Sequence, residues 1–199
     1  MKALVTGFDP FGGESINASL EVVRRLPARI GTLEIVTAEL PTSYARSIPA
    51  LKAAITRARP AIVLCVGQAG DRAALCVERV AINLQDARMP DNDGALPVDA
   101  PVVPGGPAAY LATLPVRAAV AALRAAELPA ELSMSAGAFV CNHAFYGLMH
   151  LEATGTHHFR GGFLHVPSLT QRAGTGVHSM ALDDIVRGVQ IVLEVAGET

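Results

Sequence analysis

The sequence predicts an α/β fold in which helices flank a largely parallel central sheet. Short β-prone runs alternate along the chain with segments whose apolar residues recur at helical spacing, and this alternation is typical of parallel strands joined by crossover helices. The 199 residues are 51% apolar and 17% charged, which is the profile of a globular domain. Because no repeat, low-complexity tract or linker divides the chain, we expect residues 1–199 to form a single domain.

The first half of the chain is predicted to alternate strand and helix from its start. The apolar run ALVTGF (3–8) indicates a buried first strand. Asn17 is a candidate N-cap for a helix at 18–26, because its side chain can accept a hydrogen bond from a first-turn N–H group. The alternation continues with a strand at 32–40, a helix at 43–58 and an apolar strand at 61–67.

The second half contains an alternating segment, an irregular stretch and further strands and helices. Residues 76–84 alternate polar and apolar side chains, which predicts a half-exposed strand or hairpin arm. Prolines interrupt the chain between Met89 and Pro115, so we expect an irregular stretch there that is functional or interfacial. The other predicted elements are a helix at 116–128, a strand at 131–136, a helix at 142–153, a strand at 161–166 and a helix at 180–196.

Charge and apolar content exclude several classes of function. The formal charge of −2 and the lack of a dense Lys/Arg cluster provide no surface for nucleic acid or for a membrane. No apolar run is long enough to span a bilayer, and the N-terminal MKALVTGFDPFGG turns acidic and glycine-rich too early for a signal peptide, so we expect a cytoplasmic protein. Without CxxC or HExxH spacing, no metal site is expected. A small, neutral ligand fits this composition better.

The three cysteines are expected to be free thiols, since a chain of this size does not need disulfides. Cys141 follows a predicted strand and a small-residue turn and stands at the start of a predicted helix, where the helix dipole favours a thiolate. That position suits a nucleophile, although a cysteine is often only a small buried hydrophobe. Cys65 lies in an apolar strand and Cys76 in an alternating one, so we expect both to be packing residues.

Two histidines are candidate bases for Cys141. His143 is close in sequence, but residues i and i+2 of a helix project to different sides. His165 stands near the carboxyl end of a later strand, at the edge where open α/β sheets bind ligands. The stretches TGFDPFGG, VGQAGDR, SAGAFVCN and FLHVP are all expected at that edge. A buried core histidine is the alternative interpretation of His165.

A cysteine and histidine pair benefits from a third group that orients the imidazole. Spacing does not choose among the four candidate acids, which are Glu78, Asp86, Asp91 and Asp93. Arg88 could form an ion pair with one of these carboxylates, or it could lie near an oxyanion.

The loop TGFDPFGG matches neither GxGxxG nor GxxxxGK[ST], so a phosphate site there has little support. The loop does contain Phe8 and Phe11 at the end of a predicted strand. These two rings could cap the core, or they could form two walls around a flat apolar ligand.

Taken together, these stretches resemble the pyroglutamyl peptidase I (pyrrolidone-carboxylate peptidase) family, cysteine peptidases that remove an N-terminal pyroglutamyl residue. The resemblance covers nearly the whole chain and rests on TGFDPFGGESINAS, VGQAGDR, VERVAINLQDARMPDNDG, SAGAFVCNHAFY and GGFLHVP. It implies a doubly wound α/β/α domain of the phosphorylase/hydrolase-like type and no metal or organic cofactor. The implied triad is Cys141 as nucleophile, His165 as base and Glu78 as the group that orients His165.

The resemblance also implies roles outside the triad. Arg88 would lie near the oxyanion, and the pyroglutamyl ring would be surrounded by Phe8, Phe11, Asn17 and Gln68. The implied partners are peptides with an N-terminal pyroglutamate and, because family members are often tetramers, further copies of the chain in a homo-oligomer (dimer or tetramer). The implied reaction is acyl transfer through a thioester that water then hydrolyses.

Two positions depart from the family pattern. Asp71 stands where glycine is common after GQAG, and His143 where tyrosine is frequent, so either could alter the pH profile or the leaving-group side. The residues alone leave two rival functions open, a non-catalytic small-molecule binding domain and a nucleosidase or phosphorylase on a similar scaffold. Both rivals would make Cys141 dispensable.

Overall fold

The computed structural model describes residues 1–170 and 178–198, which form a seven-stranded sheet with helices on both faces. The strands are β1 (Lys2–Phe8), β2 (Arg29–Ile30), β3 (Leu33–Leu40), β4 (Ile62–Gln68), β5 (Leu75–Glu78), β6 (Val80–Ile82), β7 (Ala109–Leu111), β8 (Ala130–Ser133), β9 (Arg160–Val166), β10 (Ser168–Leu169) and β11 (Ser179–Met180). The helices are α1 (Ala18–Arg25), α2 (Ser47–Ala58), α3 (Val116–Ala125), α4 (Val140–Thr154) and α5 (Leu182–Glu198). None of these helices is both long enough and apolar enough to cross a membrane.

The sheet is mixed but mostly parallel, which confirms the predicted fold class. Across the sheet the strands lie in the order β2, β3, β1, β4, β9, β5, β8. Strands β3, β1, β4 and β9 are parallel to one another, whereas β5 pairs antiparallel with β9 and parallel with β8. Strands β4 and β9 are almost entirely buried, as expected for apolar strands covered on both faces.

Alternate residues of β4 belong to two separate cores. Leu64 and Val66 pack in the cluster that contains α1, α3 and α5, whereas Val63 and Cys65 pack in the cluster that contains α2 and α4. Because successive side chains of a strand point to opposite faces, the helices form a layer on each side of the sheet. The doubly wound α/β/α arrangement implied by the family resemblance is therefore confirmed.

Two predicted elements differ in the structure. The single half-exposed strand at 76–84 is wrong, because the chain divides at Arg79 into β5, which is buried along its length, and β6, which pairs with β7. Its alternating pattern was misleading because Glu78, although charged, is fully buried. The stretch between Met89 and Pro115 is mostly irregular, as predicted, yet it includes β7 and so does form one short ladder.

Helix starts differ from the predictions by a few residues. Helix α2 begins at Ser47 rather than at residue 43, and α4 begins at Val140 rather than at residue 142. The N-cap prediction for α1 is confirmed, since the Asn17 side chain accepts a hydrogen bond from the Ser19 N–H group at 3.0 Å.

Candidate active site

A carboxylate and an imidazole meet on two neighbouring inner strands of the sheet, β5 and β9. In the antiparallel β5 and β9 pair, Cys76 lies opposite His165 and Glu78 lies opposite Phe163. Glu78 and His165 are therefore diagonal neighbours on one face, within reach for long side chains. His165 Nδ1 lies 2.8 Å from Glu78 Oε1. An ionised carboxylate only accepts, so Nδ1 carries the proton and Nε2 keeps its lone pair.

Both ionisable side chains of this pair are almost completely buried, which is unusual. Glu78 is 0% exposed and His165 4% exposed. Arg72 supplies the compensating charge, because its Nη1 donates to the same Glu78 oxygen at 2.7 Å. The Arg72 guanidinium also donates to Ser133 Oγ at 3.1 Å and to the Ser135 carbonyl at 2.7 Å. Sequence reasoning missed Arg72, since its only signal is its place at the end of VGQAGDR.

Cys141 is the second residue of α4 and lies above the same face of the sheet. A Cβ atom built on Gly67 would lie 2.8 Å from Cys141 Sγ and 2.7 Å from Phe163 Cζ. Gly67 is the register partner of His165 in the parallel β4 and β9 pair, so the sulfur lies over the strand that neighbours the imidazole. Glycine at position 67 therefore leaves the space that the thiol occupies.

Helix α4 presents its first N–H groups near this sulfur. The N-cap residue, Phe139, makes no side-chain capping hydrogen bond. The first N–H groups of a helix have no partner within the helix, and here no cap satisfies them. They form a donor site beside Cys141 that could bind a developing negative charge.

Burial and, to a smaller extent, the negative charge of Glu78 together raise the pKa of the Cys141 thiol to about 12. In this resting arrangement burial outweighs the helix dipole that the sequence suggested would favour a thiolate. Cys141 is therefore a neutral thiol until a neighbouring base accepts its proton. The positive charge of Arg72 acts in the opposite direction and lowers the Cys141 pKa.

Asn142 fixes the start of α4 and was not singled out by the sequence analysis. Its side chain is fully buried and accepts from the Ile82 N–H group at 3.0 Å. The amide nitrogen donates to the carbonyls of Ile82 at 2.9 Å and Leu84 at 3.0 Å. These three hydrogen bonds tie the helix that carries Cys141 to the segment that contains β6.

The route by which Cys141 reaches this place differs from the prediction. The stretches after β1 and β4 and at the end of β9 lie at one edge of the sheet, since those strands are parallel. Strand β8 runs in the opposite direction, because it is parallel to β5 and β5 is antiparallel to β9. SAGAFVCN therefore does not follow a carboxyl end at that edge, although its residues 136–141 line the same cavity as the other three stretches, as expected. A loop of residues 134–139 carries the chain back to α4.

A cavity of about 420 Å³ opens beside the thiol and the imidazole, a volume typical of small-molecule sites. Of the residues predicted for catalysis or substrate binding, all but Glu78 line the cavity, and Glu78 lies behind His165. Phe11 and Phe139 form an aromatic wall, with ring centroids 6.0 Å apart. Phe8 is 2% exposed and packs against Phe163, so it forms part of the floor. Phe139 is a lining residue that the sequence analysis did not identify.

Two amides border the cavity at the start of α1. The Ala18 N–H group donates to Gln68 Oε1 at 2.6 Å, which fixes the orientation of that amide and directs its NH₂ group elsewhere. Asn17 Oδ1 accepts from both the N–H and the hydroxyl of Ser19, while its NH₂ group donates to the Asp9 carbonyl at 3.0 Å. The Gln68 NH₂ group has no hydrogen-bond partner among the described residues, so it can donate to a ligand.

The remaining candidate acids have other environments. Asp91 accepts from the Tyr44 N–H group at 2.8 Å, and Asp93 pairs with Arg46 at 2.7 Å. This arginine lowers the pKa of Asp93 to about 2. Asp86 is exposed at the cavity and has no contact with His165 in the described structure. Of the four acids, Glu78 is the one hydrogen-bonded to His165.

Two further charged residues lie at the cavity mouth. Arg88 and Asp71 both line it and are exposed. Within residues 1–170 and 178–198, Arg88 makes no ion pair, so the alternative in which it pairs with a neighbouring carboxylate has no support. Its guanidinium is available to a ligand.

The other two cysteines and His143 lie apart from this cavity. All three cysteines are free thiols. Cys65 is fully buried and Cys76 is 3% exposed, as expected for packing residues. Burial raises the pKa of Cys65 to about 12. The ring of His143 packs edge-on against Tyr44, with centroids 5.3 Å apart.

Comparisons with known proteins agree along the whole chain. Residues 1–199 match the family model described as pyroglutamyl peptidase. The pyrrolidone-carboxylate peptidase of Gloeobacter violaceus is 52% identical over 198 residues, covering 98% of this chain and 96% of the relative. Pyrrolidone-carboxylate peptidase 1 of Ralstonia nicotianae is 53% identical over 194 residues, covering 96% of this chain and 90% of the relative.

Solved structures give the same result. Pyroglutamyl peptidase I from Bacillus amyloliquefaciens superposes with a TM-score of 0.96 at 44% identity, over 100% of this chain and 97% of the other. A variant of pyrrolidone carboxyl peptidase from Pyrococcus furiosus superposes with a TM-score of 0.96 at 36% identity, over 100% and 99% of the two chains.

Proposed function

The chain belongs to the pyroglutamyl peptidase family of cysteine hydrolases, which remove N-terminal pyroglutamate, and from that premise we propose that Cys141, His165 and Glu78 are its catalytic triad. The observation that supports this most is the hydrogen bond of 2.8 Å between His165 Nδ1 and Glu78, beside a thiol seated over Gly67. A nucleophile, its base and the base's orienting group are the parts that acyl transfer requires.

In the first step the Cys141 thiol gives its proton to His165 Nε2 and the sulfur attacks the pyroglutamyl carbonyl carbon. Because burial raises the pKa of Cys141 to about 12, the thiolate is favourable only when paired with the imidazolium. Glu78 stabilises that imidazolium through the Nδ1 hydrogen bond. His165 then protonates the departing amine, the C–N bond breaks, and a thioester remains on Cys141.

In the second step His165, now neutral, takes a proton from water as the water attacks the thioester. The carbon–sulfur bond breaks, the sulfur regains a proton from the imidazolium, and free pyroglutamate leaves. The uncapped N–H groups at the start of α4 stabilise the oxyanion in both steps, assisted by Arg88 at the cavity mouth. These steps use only side chains, backbone donors and water.

The cavity suits a five-membered lactam. Phe11 and Phe139 provide an apolar wall for one face of the ring, and Phe8 lies at the floor. The Gln68 NH₂ group, oriented by Ala18, can donate to the lactam carbonyl. A prolyl end lacks that carbonyl and carries a protonated amine, which would lose its water against the apolar wall of Phe11 and Phe139.

Substituting the nucleophile tests this proposal. Cys141→Ala should abolish release of a fluorophore from a pyroglutamyl amide, while Cys65→Ala and Cys76→Ala should alter stability more than rate. Iodoacetamide should label Cys141 at one equivalent and stop turnover. Turnover by pure Cys141→Ala protein would contradict the triad and favour a binding domain, or a nucleosidase or phosphorylase on a similar scaffold.

Substrate preference tests the pocket separately. A site that hydrogen-bonds a substrate group rejects an analogue lacking it by roughly 10⁴-fold, because its own donors are left unpaired. We expect kcat/KM for pyroglutamyl amides to exceed that for prolyl and glutaminyl amides by at least about 10³-fold. Phe11→Ala should slow the pyroglutamyl substrate without improving the others. Comparable rates for prolyl and pyroglutamyl amides would contradict the proposed pocket.

We also propose that the enzyme works in the cytoplasm as a homo-oligomer, a dimer or a tetramer. Support for self-association comes from large apolar side chains between Met89 and Pro115, where Leu96 is 51%, Val98 70% and Leu111 57% exposed. Three free thiols are consistent with a reducing compartment. Light scattering on the wild type and on Val98→Asp would measure the oligomeric state and the contribution of this surface.

A further inference from the structure

We propose that Arg72 is a positioning residue that sets the charge balance of the Glu78 and His165 pair, and through it the pH range of catalysis. This inference rests on the proposed triad and adds a fourth member to it. Arg72 lies in the loop between β4 and β5, with its side chain 25% exposed, and lines the cavity.

The geometry joins two hydrogen-bond donors, the Arg72 guanidinium and the His165 imidazole, to one oxygen atom. Glu78 Oε1 accepts from Arg72 Nη1 at 2.7 Å and from His165 Nδ1 at 2.8 Å. The second carboxylate oxygen, Oε2, is buried and has no donor among the described residues. Both donors therefore act through one oxygen, so the Arg72 guanidinium competes with a protonated His165 for the same negative charge.

Arg72 is itself held in place on three sides. Besides Glu78 it donates to the hydroxyl of Ser133, the last residue of β8, at 3.1 Å and to the Ser135 carbonyl, just after β8, at 2.7 Å. Because arginine stays protonated throughout the working pH range, this charge is permanent. It compensates the negative charge of the fully buried Glu78 carboxylate when His165 is neutral, at the stages when His165 must act as a base.

The same charge opposes protonation of His165. With Arg72 in place, the imidazolium shares its counter-ion with a guanidinium, so the imidazolium is less stable than it would be with Glu78 alone. Arg72 also lowers the pKa of Cys141 by direct attraction of the thiolate. The permanent positive charge of Arg72 therefore favours the Cys141 thiolate and competes with an imidazolium at His165 for the negative charge of Glu78.

The other titratable groups around Arg72, Glu78 and His165 do not have this effect. Cys76 and Cys65 are buried thiols, and Tyr44 has its pKa raised by burial. Four further charged groups face the cluster or its surroundings, namely Asp71, Asp86 and Arg88 at the cavity and Glu131 on β8. Arg72 is the cation that the described structure shows in direct contact with Glu78.

The test compares pH profiles of kcat/KM for a pyroglutamyl amide in three variants and the wild type. Arg72→Gln keeps a hydrogen-bond donor but removes the charge, and Arg72→Lys keeps the charge but loses the planar fork. Arg124→Gln is the matched control, since Arg124 is also hydrogen-bonded, to the Ala130 carbonyl at 2.8 Å, but lies away from the cavity.

The pH profile of kcat/KM should be bell-shaped, with an acidic and a basic limb. Removal of a nearby positive charge raises the pKa of every neighbouring group, so in Arg72→Gln both limbs should move to higher pH. The expected displacement is about 1 pH unit, the size of an effect between adjacent charges. Arg72→Lys and Arg124→Gln should leave both limbs in place, whatever their effect on the height. The rate of Cys141 alkylation by iodoacetamide, located by mass spectrometry, should shift in the same way without any substrate.

The outcomes separate this inference from the proposed function. A lower profile for Arg72→Gln with both limbs unmoved would show that Arg72 has only a structural role. If Arg72→Gln does not fold, Arg72→Lys decides, because displaced limbs in a variant that retains the charge would overturn the inference. Turnover by Cys141→Ala would refute the triad itself, irrespective of the Arg72 variants.

Discussion

Two buried histidines of this protein lie in opposite surroundings. His165 is 4% and His143 is 5% exposed, so water is nearly excluded from both. His165 stands on the inner strand β9 and shares a carboxylate with an arginine. His143 stands one helical turn into α4, its ring against Tyr44, and neither ring nitrogen has a partner among the described residues.

The difference shows what burial alone does to an imidazole and what a carboxylate adds. Burial lowers the pKa of His143 to about 4, because a charged ring there would lose its water without compensation. His143 is therefore neutral at physiological pH and cannot cycle a proton. A carboxylate partner such as Glu78 stabilises a charged imidazole that is buried just as deeply. A buried histidine can therefore act as a base when it has such a partner, even without exposure to water.

The largest expected effect comes from removing the imidazole of His165, in contrast to that of His143. His165→Ala should lower kcat/KM by at least about 10³-fold, because the same group forms the thiolate and protonates the leaving amine. His143→Ala should stay within about tenfold of the wild type, since its ring lies against Tyr44 and outside the cavity. Steady-state kinetics on both variants decides, and a reversed order would mean that the base is misassigned.

The next largest effect should come from changing Glu78, the carboxylate partner of the His165 ring. Glu78→Gln should lower kcat/KM by less than His165→Ala but by more than about 10²-fold, since an amide can still accept from Nδ1 without stabilising the imidazolium. Asp91→Asn is the matched control, because Asp91 is a buried carboxylate that accepts from Tyr44 on the His143 side. It should lower the melting temperature and leave kcat/KM nearly unchanged. Equal kinetic losses in the two variants would remove any special role for Glu78.

Two tightly packed glycines extend the comparison to sterics. In Gly67→Ala the new methyl group would meet Cys141 Sγ at 2.8 Å, so the sulfur must move. A displacement of about 1 Å costs roughly 10²-fold in rate. In Gly147→Ala the methyl group would meet the Ile48 side chain on the far part of α4, so stability should fall while kcat/KM holds. Full activity of Gly67→Ala would show that the sulfur has free space.

The smallest effect on catalysis should come from His143→Phe, which tests stability instead. The pKa of His143 is 6.5 when unfolded and about 4 when folded. Its stabilising contribution is therefore complete above pH 6.5 and is lost as the pH falls toward 4, by about 3 kcal/mol. His143→Phe should escape that loss, whereas His158→Phe, at an exposed position, should not. Urea unfolding at pH 7 and pH 4.5 measures this, and parallel curves for the two variants would contradict it.

Much of the fold follows from local pattern. The apolar runs of β4 and β9 and the capping residue Asn17 act through nearest neighbours and burial, so the sequence predicts them. The direction of a strand in the sheet does not follow from local pattern, because an apolar run is compatible with either direction. Nothing in the residues of β5 and β8 indicates that they oppose β9.

The candidate site divides in the same way. Helix position alone suggested Cys141 and strand end alone suggested His165, whereas the residues left four acids open for the orienting role. Arg72 and Asn142 acquire their importance from partners remote in sequence, Arg72 through Ser133 and Ser135, and Asn142 through Ile82 and Leu84. Such pairings depend on tertiary contacts that a single sequence does not display.

The proposed triad draws its members from elements of unequal resistance to local opening. Strand β9 is hydrogen-bonded to β4 on one side and to β5 on the other, so its amide protons should exchange only when the whole molecule unfolds. The first turn of α4 has no side-chain cap and is held through the hydrogen bonds of its own Asn142 to Ile82 and Leu84. On warming, we therefore expect that turn to open first and carry the sulfur away from an intact imidazole and carboxylate. Heating would then inactivate the enzyme reversibly at temperatures where the sheet is still folded.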